Sequence, residues 1–174
     1  MFFIVTIEKV VRIEPYELGK NLIYKIRKKI EDITVGTCSG TYGYIIQIIQ
    51  MKPQDISDGR IQDTTGDVIY KVKFKALVFR PFRGEVLDGE VIDITDNGFM
   101  IESGPLKSFI STMRIQNQYA YDKSHNQFIS KDDPNLRITV GSNIRYKIDQ
   151  IKYDKGEYTA VSSLEDGYLG PLSL

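Results

Sequence analysis

The chain has 174 residues, with 23 basic side chains against 23 acidic ones, one cysteine and one histidine. That length allows one large domain or two small ones. No apolar run approaches the roughly 20 residues that span a bilayer, and the single cysteine, Cys38, excludes an internal disulfide and suits a reducing compartment.

The opening, Met1-Phe2-Phe3-Ile4-Val5-Thr6-Ile7-Glu8, lacks a basic lead and a small-residue cleavage site. It reads as a first strand, from about Phe2 to Ile13, rather than a signal peptide. Pro15 suits the opening of a helical turn. Leu22, Ile23, Ile26, Ile30 and Ile33 then recur at helical spacing, with Lys20, Lys25, Arg27, Lys28 and Lys29 largely off that stripe. Those basic residues form either a solvated face or a partner surface. Gly36, Gly40 and Gly43 punctuate a bent strand segment. Tyr44 to Met51 is almost continuously apolar, which predicts a strand buried on both faces, and Pro53 ends it. Residues 53–67 are polar and glycine-punctuated, and a loop of that length in a small domain is commonly functional or disordered.

Val68 to Phe79 alternates strictly. Val68, Tyr70, Val72, Phe74, Ala76 and Val78 share one face, and Lys71, Lys73 and Lys75 share the other with Ile69, Leu77 and Phe79. That is a half-buried strand. Pro81 has no backbone donor, so the strand must stop or reach an edge there. A new pattern follows, with Gly84-x-Val86, Gly89-x-Val91, Ile94 and Asp96-Asn97-Gly98-Phe99. It predicts five short strands at about 84–95, 98–103, 107–111, 142–152 and 158–163, the arrangement of a small OB barrel of the S-one type. Thr112 to Thr139 forms a long polar connection where such a fold places a helix or loop, and Asp132-Asp133-Pro134-Asn135 makes helix unfavourable across its end. The change of pattern divides the chain into residues 1–80 and 81–174.

The lysine-bearing strand running into Val78-Phe79-Arg80-Pro81-Phe82-Arg83-Gly84-Glu85-Val86 resembles the larger stalk subunit of RNA polymerase, the family of polymerase II's seventh subunit and its archaeal counterpart. Three further segments resemble it in the right order: Gly36-Thr37-Cys38-Ser39-Gly40-Thr41-Tyr42-Gly43, then Gly104-Pro105 with Ser108-Phe109-Ile110-Ser111, then Ser163-Leu164-Glu165-Asp166-Gly167-Tyr168-Leu169-Gly170. The last is most similar to the polymerase II member. The resemblance implies an α+β protein: a small antiparallel sheet with one helix, truncated RNP-like, docking on the polymerase, followed by an RNA-binding barrel. It implies a non-catalytic nuclear subunit that pairs with the smaller stalk subunit, acts in initiation at the clamp and contacts nascent single-stranded RNA. It also assigns the 53–67 loop to the tip that enters the polymerase body, through Gly59, Ile61, Gln62 and Gly66. Polymerase II members often carry a Pro-Gly-Arg-Gly turn where this chain has Asp63-Thr64-Thr65-Gly66. The rivals are the matching subunit of polymerase III or an archaeal polymerase, a free-standing OB-fold RNA-binding factor, and a structural adaptor whose barrel binds only protein.

Catalytic readings fail on the residues. His125 has no cysteine at metal spacing, and phosphate-binding and nucleophile-elbow glycine motifs are absent. Neither a cofactor nor a metal is expected. The candidate RNA surface lies on barrel strands two and three with the last hairpin. Phe99 and Phe109 are its aromatics, with Lys107, Arg114, Lys147, Lys152 and Tyr153 nearby; Lys155 could complete the patch. Strong S-one modules carry aromatic or histidine groups where this chain has Asn97, Met100 and Ser111. Residues 1–80 hold 13 Lys and Arg against 9 Asp and Glu, whereas residues 81–174 hold 10 against 14. Because phosphate neutralisation dominates nucleic-acid affinity, an acidic barrel predicts weak binding.

Overall fold

The computed structural model describes residues 1–115, 119–131 and 136–172. The chain forms two compact units, Met1–Arg80 and Pro81–Leu174.

In the first unit, strand β1 (Phe2–Ile13) leads through a short 3-10 turn opened by Pro15 into helix α1 (Leu22–Thr34). Strands β2 (Cys38–Ser39), β3 (Gly43–Gln50), β4 (Arg60–Ile61) and β5 (Val68–Phe79) follow. The sheet runs β1-β5-β3-β2, with β4 on the free half of β5. β1 and β5 pair along their whole length, from Phe2 opposite Phe79 to Ile13 opposite Val68. Alternation then decides which side chains meet the helix. Ile7, Val11, Ile13, Val72, Phe74, Ala76 and Val78 bury with Ile45, Ile48, Ile26 and Ile30 in one core. Gly43 sits at φ +92, and a Cβ there would run into the Phe79 carbonyl oxygen, so the β3 start requires glycine.

Two expectations for this unit need correction. β3 is not buried on both faces: Ile45 and Ile48 face the core, while Ile46 and Ile49 are exposed. The single helix covers only one side of the sheet, so an almost continuously apolar strand still shows half its residues to solvent. The helix stripe is also narrower than its apolar spacing suggests. Ile23 and Ile33 are exposed, and the buried line is Ile26, Ile30 and Thr34, with Leu22 packed at its edge. That line is a run of i+4 steps, the seam a helix presents to a flat sheet.

The second unit contains β6 (Val86–Thr95), β7 (Gly98–Ser103), β8 (Leu106–Ser111), β12 (Asn143–Asp154) and β13 (Glu157–Ser163). Antiparallel pairs β6–β7, β7–β8, β12–β6 and β12–β13, with the parallel pair β8–β13, close a five-stranded barrel. A short strand, β14 (Gly170–Pro171), pairs with β12. Closure leaves no open edge in the ring. Its interior holds Val91, Ile94, Phe99, Ile101, Leu106, Ile110, Ile144, Tyr146 and Ile148. Two polar features are satisfied there. The Tyr146 hydroxyl donates to Ser103 Oγ at 2.8 Å, and the hydroxyls of Ser108 and Ser162 meet at 2.5 Å across the parallel pair.

The connection expected as helix or loop carries a small antiparallel sheet, β11-β10-β9, from β9 (Tyr119–Asp122), β10 (Gln127–Ser130) and β11 (Arg137–Ile138). Phe128 anchors it, with its ring centroid 5.7 Å from Phe99 and 5.3 Å from Tyr121. The Tyr119-Ala120-Tyr121 and Phe128-Ile129 segments were the apolar signal, diluted by polar neighbours. The expectation for Asp132 to Asn135 lies outside the described residues.

Candidate nucleic-acid interface

The outer wall of β7, β8, β13 and β12 forms a shallow cavity of about 330 Å³. Met100, Phe109 and Val161 are register partners on three neighbouring strands, so their side chains stand side by side on this wall. Lys107 lies opposite Thr159, and Thr159 opposite Lys152. The result is an apolar strip centred on half-buried Phe109, bordered by two exposed lysines. A base can stack on the Phe109 ring while its phosphates meet Lys107 and Lys152, the combination a single strand requires.

The other candidates fall elsewhere. Phe99 is 1% exposed and packs on Phe128 inside the barrel, so it is a core residue and cannot stack on a base. Alternation explains the difference, because Phe99 points inward while its neighbour Met100 points out. Lys147 is engaged: its Nζ donates to Asp166 at 3.0 Å. The same Asp166 carboxylate accepts from the Tyr168 hydroxyl at 3.1 Å. The Lys147 hydrogen bond, then that of Tyr168, holds the Asp166 carboxyl below its usual range, and the same pairing raises Lys147. Arg114 lies between Asp149 at 3.4 Å and Glu165 at 3.6 Å. Tyr153 packs its ring against Tyr158, centroids 5.1 Å apart, and keeps 43% of its surface exposed. The structure therefore brings together Lys107, Phe109 and Lys152. Sequence reasoning missed Thr159 and Val161, whose position follows only once the parallel β8–β13 register is known, and it passed over Met100 as a lost aromatic.

The tip assignment falls on a hairpin arm rather than an irregular loop. β4 pairs with β5 through Arg60 opposite Ile69 and Ile61 opposite Val68. The Gln62 carbonyl accepts from the Gly66 and Thr65 amides at 2.8 and 3.3 Å, and the Gln62 amide donates to the Asp67 carbonyl at 2.8 Å. Gly66 closes this turn at φ +74. Gly59 lies so close to Val68 and Tyr70 that a side chain would collide with both. The Asp67 carboxylate, 3% exposed as a residue, pairs with the Arg12 guanidinium on β1 and ties the arm to the sheet. Ile61 stands 66% exposed on the arm.

The S1 RNA binding domain model matches residues 80–159. Over 171 residues, 98% of each chain, this protein is 36% identical to "DNA-directed RNA polymerase II subunit rpb7" of Dictyostelium discoideum. The chain belongs to the family of RNA polymerase II subunit 7. The Saccharomyces cerevisiae member, "DNA-directed RNA polymerase II subunit RPB7", is 31% identical over 99% of this chain and 100% of its own. "DNA-directed RNA polymerase V subunit 7" of Arabidopsis thaliana is 30% identical over 75% of this chain and 73% of its own. Members of the subunit 7 family are non-catalytic, and an S1-type barrel following a helix-backed sheet is the fold found here.

Proposed function

We propose that the chain is the larger, non-catalytic stalk subunit of nuclear RNA polymerase II. It pairs with the smaller stalk subunit, docks near the clamp through its first unit, acts in initiation and holds emerging single-stranded RNA weakly on its barrel. The observation that carries this reading is the likeness to polymerase II subunits along 98% of the chain. The shorter span of the polymerase V likeness, 75% of the chain, favours polymerase II over another nuclear polymerase. Docking through Gly59, Ile61, Gln62 and Gly66 suits an arm that displays an apolar residue to solvent. RNA contact suits the Phe109 strip, and tethering beside the RNA exit lets a weak site suffice through effective concentration. Phe2, Ile4, Ile46 and Ile49 leave a sheet face opposite the helix with unburied apolar surface, which accounts for a need for a partner.

Size-exclusion chromatography with light scattering tests the pairing. Mixing the chain with its smaller stalk subunit is expected to give a stable one-to-one complex. A stable monomer indifferent to that partner refutes it.

A further inference from the structure

One register row carrying four charged residues crosses five strands of the barrel wall. Lys152 pairs with Thr159, Thr159 with Lys107, Lys107 with Glu102, and Glu102 with Glu90. All five residues are exposed. The row reads cation, neutral, cation, anion, anion. Neighbouring strands stand about 4.8 Å apart, so the two carboxylates begin one strand beyond Lys107. The second row repeats the asymmetry, with Val161 and Phe109 on one side of Met100 and Asp93 on the other.

OB barrels commonly take single strands across the faces of their second and third strands, here β7 and β8. In this chain β7 and β6 present carboxylates to that route, while in the same two rows β8, β13 and β12 present a neutral floor edged by lysines, which the Asp154–Glu157 pair bounds one row further along β12 and β13. We infer that single-stranded RNA runs over β8 and β13, between Lys107 and Lys152, and that Glu102 and Glu90 fence it off from β7 and β6. The inference rests on the RNA-binding reading and adds the path to it. Thr159 is then the midpoint of the path, and the fence is one reason that binding is weak. Carboxylates beside a phosphate chain repel it by Coulomb interaction that salt screens within about 10 Å at 0.1 M.

Fluorescence anisotropy of the full chain with a short oligouridine, in low and high salt, tests it. Glu90→Gln with Glu102→Gln is expected to tighten binding about threefold near 50 mM salt and to approach parity at several hundred millimolar. Thr159→Glu is expected to weaken binding about tenfold or more, while Thr159→Gln, equal in length but uncharged, stays within about twofold of the parent. Unchanged melting temperatures for these exposed positions keep the comparison on binding. If Thr159→Glu binds like the parent while Lys107→Ala with Lys152→Ala weakens binding, RNA is bound by another route and the path is wrong. If the neutralised fence gives no gain at low salt, the fence is wrong. If the double lysine variant itself binds like the parent, the RNA reading and the path fall together.

Discussion

Phe99 and Phe109 lie ten positions apart, and the pleat gives them opposite fates. Phe99 is sealed in the barrel, so Phe99→Ala should destabilise the second unit by about 3–5 kcal/mol. Phe109 is half-buried on the outer wall, so Phe109→Ala should cost clearly less stability and remove roughly 1–3 kcal/mol of RNA affinity. Thermal melts beside anisotropy measure both, and equal melting losses for the two variants would contradict the outward placement of Phe109. The sequence showed both aromatics but not their faces, because a turn of uncertain length before Gly98 leaves the phase of alternation open. The engaged state of Lys147 was hidden for another reason, since its partner Asp166 lies 19 positions further along the chain. Its bond to Asp166 gives a pH prediction. A carboxyl whose folded pKa is depressed contributes stability above its unfolded value, about 3.9, and loses it as pH falls through the folded value. Amide protection in the β14 segment, taken relative to the intrinsic exchange rate at each pH, should therefore fall in acid, below roughly pH 4, and Asp166→Asn should flatten that dependence. Solvent exposure keeps the effect small at neutral pH.

At the scale of elements, β5 was legible because period-two alternation over twelve residues has no helical alternative, and β1 was legible as an opening run that does not read as a signal peptide. The barrel strands were legible from glycine-marked turns. Gly98 shows why the mark is needed: at φ +148 it packs where a Cβ would run into the Ile110 carbonyl oxygen. Gly98→Ala should therefore lower barrel stability by about 1–3 kcal/mol, read by thermal melting. The β9–β11 sheet was hidden because its apolar residues are few, and its anchoring through Phe128 is a tertiary fact. The tip arm was legible as a glycine-bounded segment, but its clasp was not, since Arg12 and Asp67 are 55 positions apart. Shortening the turn between Gln62 and Gly66, with Arg12 and Asp67 kept, should leave the melting temperature nearly unchanged and reduce retention on the core enzyme. Arg12→Ala leaves the Asp67 carboxylate buried without its cation and should cost about 1–3 kcal/mol. Intact retention after shortening would contradict the tip assignment.

At the scale of the molecule, two small units carry opposite charge surpluses, 13 basic against 9 acidic residues in the first and 10 against 14 in the second. Composition already pointed to weak RNA binding, and the barrel wall concentrates what cationic surface there is into two lysines beside one aromatic ring. Two phosphate contacts predict a slope of log affinity against log salt of about −1.4 for a single strand. A protein with so shallow a dependence gains its occupancy from where it is held, which is the role of a polymerase subunit. Affinity purification of the tagged chain from native extract, with identification of the co-purifying subunits, tests that role most directly. The account predicts a smaller stalk subunit in one-to-one ratio together with the large polymerase II subunits. Recovery of the chain alone, or with ribosomal or RNA-decay components and no polymerase, would contradict it.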